Sequence, residues 1–241
     1  LHMWTRRQRQ MCIRDSRQSG PLIIRYGTEK HQKELLPGIL KGESYFCIGM
    51  SEPDSGSDLA ALRTKAEKKG DIYLVNGTKL WTSGAHRCQY MIALFRTSQE
   101  EDRHGGFSQF IVDLSLPGVT IRPIIDLAGR HHFNEVIFED VEVPEDMLIG
   151  TEGNGWNQVT AELALERSGP ERYLSSYMLL QELVNEFSNK NDDEGVTEIG
   201  RQMSHLTTLR QMSVSVAGML DQGENPALEA SVVKDLGAVF E

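Results

Sequence analysis

Cysteine is scarce in this chain of 241 residues: Cys12, Cys47 and Cys88 are all there is. An odd number without metal-ligand spacing excludes a disulfide framework and leaves free thiols in a reducing compartment as the expectation. Cations are in deficit as well, with 25 Lys and Arg against 35 Asp and Glu and a formal charge of −10. That balance excludes a duplex-binding surface, whose affinity comes from cations meeting phosphates, so no nucleic-acid partner is expected. No apolar run approaches the roughly 20 residues that span a bilayer, so no membrane association is expected either. Phosphate-loop, dinucleotide, zinc-protease and nucleophile-elbow motifs are missing. Asn189–Gly195 looks at first like a calcium loop, but it has no Gly at the sixth position and Gly200 stands where the terminal Glu belongs. His131-His132 has no partner ligands at helical spacing and reads as a solvated loop, so no metal is expected. What remains is ordinary globular composition, 39% hydrophobic and 25% charged, in a chain long enough to bury a core.

Residues 1–19 read as a foreign or disordered leader, rich in Arg and Gln and without periodicity. From Thr28 the text TEKHQKELLPGILKGE predicts a short capped helix, with Thr28 as cap and Gln32 four on, interrupted at Pro37-Gly38. Near Tyr45 the period changes to two. Tyr45–Met50, Tyr90–Phe95, Phe107–Val112, Val119–Pro123 and Glu135–Val143 read as strands. Ile72–Val75 and Thr78–Trp81 flank Asn76-Gly77, which predicts a tight hairpin. About seven short strands in a hundred residues predict an antiparallel β-barrel or sandwich. After Gly150 the period is helical again. Asn154 caps a helix predicted to carry Trp156, Val159, Leu163, Leu174, Tyr177 and Val184 on one stripe. A second helix carries Ile199, Met203, Leu206, Leu209, Val216 and Leu220, and a third starts at Pro226 and reaches the end of the chain.

Three features could carry chemistry. The run from Ser51 to Asp58, SEPDSGSD, follows a strand and is crowded with small hydrogen-bonding residues. It is either an ordinary turn or a cradle of backbone N–H groups for an anion. Trp81-Thr82-Ser83 offers an aromatic plane beside two hydroxyls, which a planar aromatic ligand could use, although a half-buried strand Trp is the commoner reading of such a residue. Glu166 falls on the apolar stripe where the period calls for a hydrophobic residue. A carboxylate there is either a member of an ion pair or a group of raised proton affinity fit to act as a base, with Glu162 one turn back as a like charge. Pro170 cannot donate to the Glu166 carbonyl, so a bend is expected there.

Taken together, YGTEKHQKELLPGILKGE, CIGMSEPDSGSDLAALRTKAEKKGDIYLVNGTKLWTSGAH, FIVDLSLPGVTIRP, FNEVIFEDVEVP and ELALERSGPER, in this order and spacing, resemble the acyl-CoA dehydrogenase family from about Gly20 to Phe187. The resemblance implies an α+β protein of three parts: residues 20–44 as the end of an N-terminal helical domain, 45–150 as the middle β-domain, and 151–241 as the start of a C-terminal helical bundle. It implies FAD as cofactor, against Ile48, Gly49, Met50 and Ser51, with Gly56 and Ser57 near the pyrophosphate. Trp81 would cover the flavin, with Thr82 beside it and Ser83 bonding near N5. Ser57, Ala164, Leu165, Glu166 and Arg167 would meet the acyl-CoA substrate. Glu166 would take the α-proton while hydride passes from the β-carbon to FAD, giving a trans-2-enoyl-CoA, a step of fatty-acid β-oxidation. The family also implies an electron-transfer flavoprotein as partner, a homo-oligomer (dimer or tetramer), and a cytoplasmic location, or the mitochondrial matrix in a eukaryote. A flavin oxidase or monooxygenase on the same fold is the alternative activity, and an inactive truncated fragment is the alternative of another class. Two departures stand out. Ala164 replaces the usual Asp of the family, and no R-x-x-F-G motif occurs between Asn189 and Arg201.

Overall fold

The structure, a computed structural model, describes residues 18–187 and 193–241. The leader read at 1–19 lies outside the described residues except for its last two, and so does the first part of the polar break after Phe187. The chain divides into two compact units, one ending at Val159 and one running from Thr160 to Glu241.

The first unit opens with helices α1 (Gly20–Tyr26) and α2 (Glu29–Lys41). Thr28 caps α2: its hydroxyl accepts the His31 N–H at 3.2 Å while His31 Nδ1 accepts the Thr28 N–H at 3.3 Å. The box therefore closes on His31 and not on Gln32. Pro37 does not interrupt α2 as the sequence suggested. It removes a single N–H from the ladder, and Leu35 and Ile39 on either side are buried, which holds the turn together. Gly42, in the left-handed region at φ 70°, ends the helix.

Eight strands follow: β1 (Phe46–Gly49), β2 (Lys65–Lys69), β3 (Ile72–Ser83), β4 (Tyr90–Arg96), β5 (Phe107–Asp113), β6 (Val119–Ile125), β7 (His131–Pro144) and β8 (Leu148–Ile149). Their order is β6-β7-β3-β2-β4-β5-β8, with β1 beside β4. The α+β class read from the sequence holds, but two details need correction. The sheet is open, not a closed barrel, and it is not wholly antiparallel. β1 runs parallel to β4, and β2 meets the same edge of β4 in parallel at Lys65↔Arg96. The sheet curls instead of closing. Tyr73 on β3 meets Phe110 on β5 edge-on at 4.8 Å, and Phe95 on β4 meets Phe138 on β7 at 5.5 Å, although neither pair is adjacent in the sheet. These rings centre one core. On the other face Ile92 and Ile111 meet Leu22, Ile23, Leu35 and Ile39 of α1 and α2. Strands β4 and β5 are thus covered on both sides, which is why they read as continuous apolar runs.

The predicted hairpin at Asn76-Gly77 is also corrected, because β3 runs straight through it for 12 residues. The reversal between β2 and β3 is at Gly70-Asp71 instead. Asn76 faces a bulge in β7, where the register slips between Val75↔Val141 and Gly77↔Phe138. There Asp140 takes a left-handed φ of 52°, and the Asn76 side chain clasps it. Asn76 Oδ1 accepts the Asp140 N–H and Asn76 Nδ2 donates to Asp140 Oδ1, both at 2.9 Å. Gly77 is needed for space, since a Cβ there would lie 2.6 Å from Thr64 Oγ1, and its own φ is 145°.

Helix α3 (Gly155–Arg167) runs from the first unit into the second, which adds α4 (Tyr177–Phe187), α5 (Asp193–Asp221) and α6 (Ala227–Phe240). The single helix expected from Asn154 to Val184 is broken. Ser168-Gly169 leaves the α-helix and Pro170 starts a short tight turn. Tyr173, Leu180, Leu206, Leu209, Val216, Ala230 and Val233 form a core of this unit's own, with Leu220 packed against it; of the stripe expected on α5, Met203 is exposed and Ile199 lies outside this core. Among the described residues no helix is long and apolar enough to cross a membrane.

Candidate functional site

The two segments that the sequence singled out in the first unit are tied together by backbone and by a buried ion pair. The Leu80 N–H donates to the Ser51 carbonyl at 2.8 Å. Next to it, Lys79 is fully buried, and its ammonium donates to the Met50 carbonyl at 3.1 Å and to Glu52 Oε1 at 2.8 Å, lying 5.6 Å from the centre of the Phe95 ring. Glu52, 7% exposed, accepts two more bonds from the N–H groups of Arg63 (2.6 Å) and Thr64 (3.0 Å). One carboxylate thus anchors the turn after β1, the start of β2 and the middle of β3. Burial alone would raise the Glu52 carboxyl, but Lys79 and the two N–H donors outweigh it and hold it below the usual range. Burial pushes the Lys79 ammonium down to about 8 against the pull of Glu52. It is still protonated at neutral pH.

Neither Lys79 nor Glu52 was singled out from the sequence, although a signal existed. Period two from buried Tyr73 and Val75 puts position 79 on the inner face of β3. The same parity would bury position 81. A second bulge prevents that: between Lys79↔Val136 and Thr82↔Asn134 one extra residue sits on β3. Trp81 takes it up with a left-handed φ of 59° and turns outward, 56% exposed, while Thr82 takes the inner place. The half-buried strand Trp expected from alternation is thus not found. The Trp81 ring stands edge-on to Phe133 at 5.9 Å. A left-handed backbone at a bulky residue is costly, and such strain gathers where a side chain must be presented.

The remaining predicted positions divide by exposure. Ile48, Met50, Ser51 and Ser83 are half-buried, and Gly49 is buried beneath Met91. Gly56 and Ser57 are exposed on a turn closed by reciprocal bonds between Glu52 and Ser55 (2.7 and 3.1 Å). Among the described residues nothing lies within 4 Å of where a Gly56 Cβ would sit, so none of their packing calls for glycine there. The hydroxyl of Thr82 is buried without a hydrogen-bond partner. An exposed aromatic face, half-buried hydroxyls at 51 and 83 and an exposed Gly56-Ser57 bend suit a planar, hydrogen-bonding ring with an anionic tail.

His131 does not lie in a solvated loop. It is half-buried at the start of β7, stacked on His86 at 3.7 Å and bonded to Asn134 Oδ1 at 2.7 Å. Sequence reasoning missed this cluster because its members are 48 residues apart. His132 beside it is exposed. Among the described residues no group of three or more His, Cys, Asp or Glu is placed to hold a metal.

In the second unit Glu166 pairs with Arg172 Nη2, each side chain 28% exposed. Glu166 is thus a member of an ion pair, with a partner six residues on, which leaves its chemical role open. Because Pro170 has no N–H, the Glu166 carbonyl is left over by the helix and accepts the Arg172 Nε–H at 3.2 Å. One arginine thus serves both ends of the same residue. Glu162 is buried one turn back. Arg167 points elsewhere, donating to the Ser231 hydroxyl at 3.1 Å. Ala164 and Leu165 belong to α3, and their side chains lie outside what is described.

Residues 47–141 match the family model described as acyl-CoA dehydrogenase, middle domain. The chain is 43% identical over 183 residues to acyl-CoA dehydrogenase FadE29 of Mycobacterium tuberculosis, an alignment covering 75% of this chain and 46% of that protein. It is 34% identical over 148 residues to the mitochondrial isovaleryl-CoA dehydrogenase of Pongo abelii, covering 60% of this chain and 35% of that enzyme. Among solved structures, the Tcur3481-Tcur3483 steroid ACAD superposes with a TM-score of 0.81 at 28% identity, over 95% of this chain and 60% of that one. The chain spans about half the length, or less, of these curated relatives.

Proposed function

The chain belongs to the acyl-CoA dehydrogenase family, and on that premise we propose that it carries the flavin-facing strand edge and the catalytic base of an acyl-CoA α,β-dehydrogenase. The observation that carries this is the Trp81 bulge, an exposed indole held in a strained backbone between two serines that the buried Lys79–Glu52 pair sets in register. Ser51 and Ser83 would bond the flavin ring, Trp81 would lie against its face, and Gly56 and Ser57 would admit the pyrophosphate. FAD, when bound, supplies a two-electron acceptor. The residues do the rest. Glu166, whose Oε1 is engaged by Arg172, receives the α-proton of the thioester, and Arg172 keeps its carboxylate aimed from the end of α3. Ser57 and the stretch Ala164–Arg167 would meet the acyl-CoA. The product would be a trans-2-enoyl-CoA, as in fatty-acid β-oxidation. An electron-transfer flavoprotein as acceptor, a homo-oligomer, and a cytoplasmic or matrix location belong to the same proposal.

A visible spectrum of the purified chain is the first test. A flavin band supports the reading, and a colourless protein that stays colourless after incubation with FAD overturns it for this chain. The base is tested apart from the redox step. An acyl-CoA analogue with sulfur at the β-position has an acidic α C–H but no β C–H to lose. Wild-type chain in deuterium oxide is expected to exchange that α-hydrogen, and Glu166→Gln to slow the exchange by about 10²–10⁴-fold. Equal exchange rates would move the base elsewhere. A panel running from isovaleryl-CoA to a steroid-bearing acyl-CoA, chosen from the names of the relatives, would define the substrate.

A further inference from the structure

Beneath the Trp81–Ser83 edge lies a buried polar cluster that no role above uses. Asn134 is fully buried. Its Nδ2 donates to the Thr82 carbonyl at 2.9 Å, while Oδ1 faces His131 Nε2 at 2.7 Å and His86 Nδ1 at 3.2 Å. The carbonyl of Thr82 can only accept, so the amide N of Asn134 must face it and Oδ1 must accept from both rings. The tautomers follow from this: His131 carries its proton on Nε2 and His86 on Nδ1. The other nitrogen of His86 is then an acceptor, and Arg87 Nε donates to it at 3.0 Å. Each of these contacts then joins a donor to an acceptor, and the arrangement permits only one orientation of the Asn134 amide. Burial, followed by the neighbouring His131 and Arg87, holds His86 below its ordinary range, in keeping with a neutral ring in the stack.

We propose that Asn134, locked by His86 and His131, is a positioning residue: it fixes the Thr82–Ser83 peptide and holds the Trp81 bulge open, so that Ser83 and the indole face a planar ligand. The geometry behind this is direct. Thr82 is the residue at which β3 recovers its register after the bulge, and it is paired to Asn134 itself. A free Thr82 carbonyl would let the peptide rotate and Trp81 relax toward an ordinary strand conformation, carrying its ring back toward the inner face. This inference rests on the flavin reading for the identity of the ligand, but not for the geometry.

The test compares variants that differ by one hydrogen bond. Asn134→Asp still accepts from both imidazoles but cannot donate to the Thr82 carbonyl. His131→Leu removes one lock, and His131→Gln restores a donor near the Nε2 position. FAD affinity, read by flavin fluorescence, is expected to fall about tenfold in Asn134→Asp and His131→Leu, the loss that goes with one well-placed bond, and to stay within about threefold in His131→Gln. Wild-type affinity in Asn134→Asp, or no rescue by His131→Gln, overturns the proposal. If the wild-type chain takes up no FAD, the flavin reading fails, and NMR of the ligand-free chain decides the positioning role separately. Histidine ¹⁵N shifts of a neutral His86 protonated on Nδ1, together with a left-handed Trp81 Cα shift that is lost in Asn134→Asp, support it. A Trp81 shift unchanged in Asn134→Asp overturns it.

Discussion

The buried Lys79 ties the middle of β3 to the turn after β1 through the Met50 carbonyl and Glu52. Removing one partner of a buried pair leaves the other charged and unpaired, so Glu52→Gln or Lys79→Met alone is expected to cost about 3–5 kcal/mol. The double variant, neutral and similar in volume, should fall well below the sum of the two, and urea unfolding of all three chains gives that comparison. The lysine also predicts a pH dependence of definite sign. Its folded pKa of about 8 lies below the 10.5 of a free lysine. Below about pH 8 both states are charged and the cost of burying the ammonium is fully present. Between there and about 10.5 the unfolded chain holds a proton that the folded one has released, so stability gains with rising pH. Wild type should therefore gain on the double variant between about pH 7.5 and 9.5. A constant difference would mean that Lys79 titrates normally.

At the scale of elements, the two bulges decide what β3 presents. The bulge on β7 lets Asn76-Gly77 pass as plain strand, although the same dipeptide between alternating residues is the strongest local sign of a hairpin. The local signal lost because the Gly70-Asp71 turn comes first and the pairing of β3 with β7 over its whole length buries more. Gly77→Ala is expected to cost about 1–3 kcal/mol through collision with Thr64, and Asn76→Ala about 1 kcal/mol through the lost clasp on Asp140. Thermal melting reads both, and an unchanged midpoint in Gly77→Ala would contradict the contact. The other bulge could not be read from sequence at all, since no residue at 80–82 favours a left-handed backbone. Trp81→Asn, with a side chain that tolerates that backbone, should leave stability within about 1 kcal/mol while weakening FAD binding. On α3, Pro170 was legible as a bend. What receives the carbonyl it frees was not, because Arg172 reaches back only after the helix has stopped.

For the whole molecule, each unit has a core of its own, and this predicts non-coincident unfolding. Of the three tryptophans, Trp81 and Trp156 are described and lie in the first unit, so in a Trp4→Phe chain tryptophan fluorescence reports on that unit, whereas far-ultraviolet ellipticity is dominated by α4, α5 and α6. Two midpoints are expected from the two probes in one denaturant titration. A single shared transition would show that the cores melt as one.

The sequence by itself determined the α+β class, most of the strands and the buried positions Leu206, Leu209 and Val216 of α5, because hydrophobic periodicity is a local quantity that burial enforces. It also placed the resemblance motifs, and with them Ser51, Trp81, Ser83 and Glu166. Only the tertiary structure decided that Trp81 faces outward, that Lys79 and Glu52 brace the turn, that Asn134 meets two histidines, and that Glu166 has Arg172 as its partner. Each of these depends on register or on a break in periodicity. One inserted residue in a strand reverses the face of everything after it, and a buried charge is tolerable only where folding brings its partner from elsewhere in the chain.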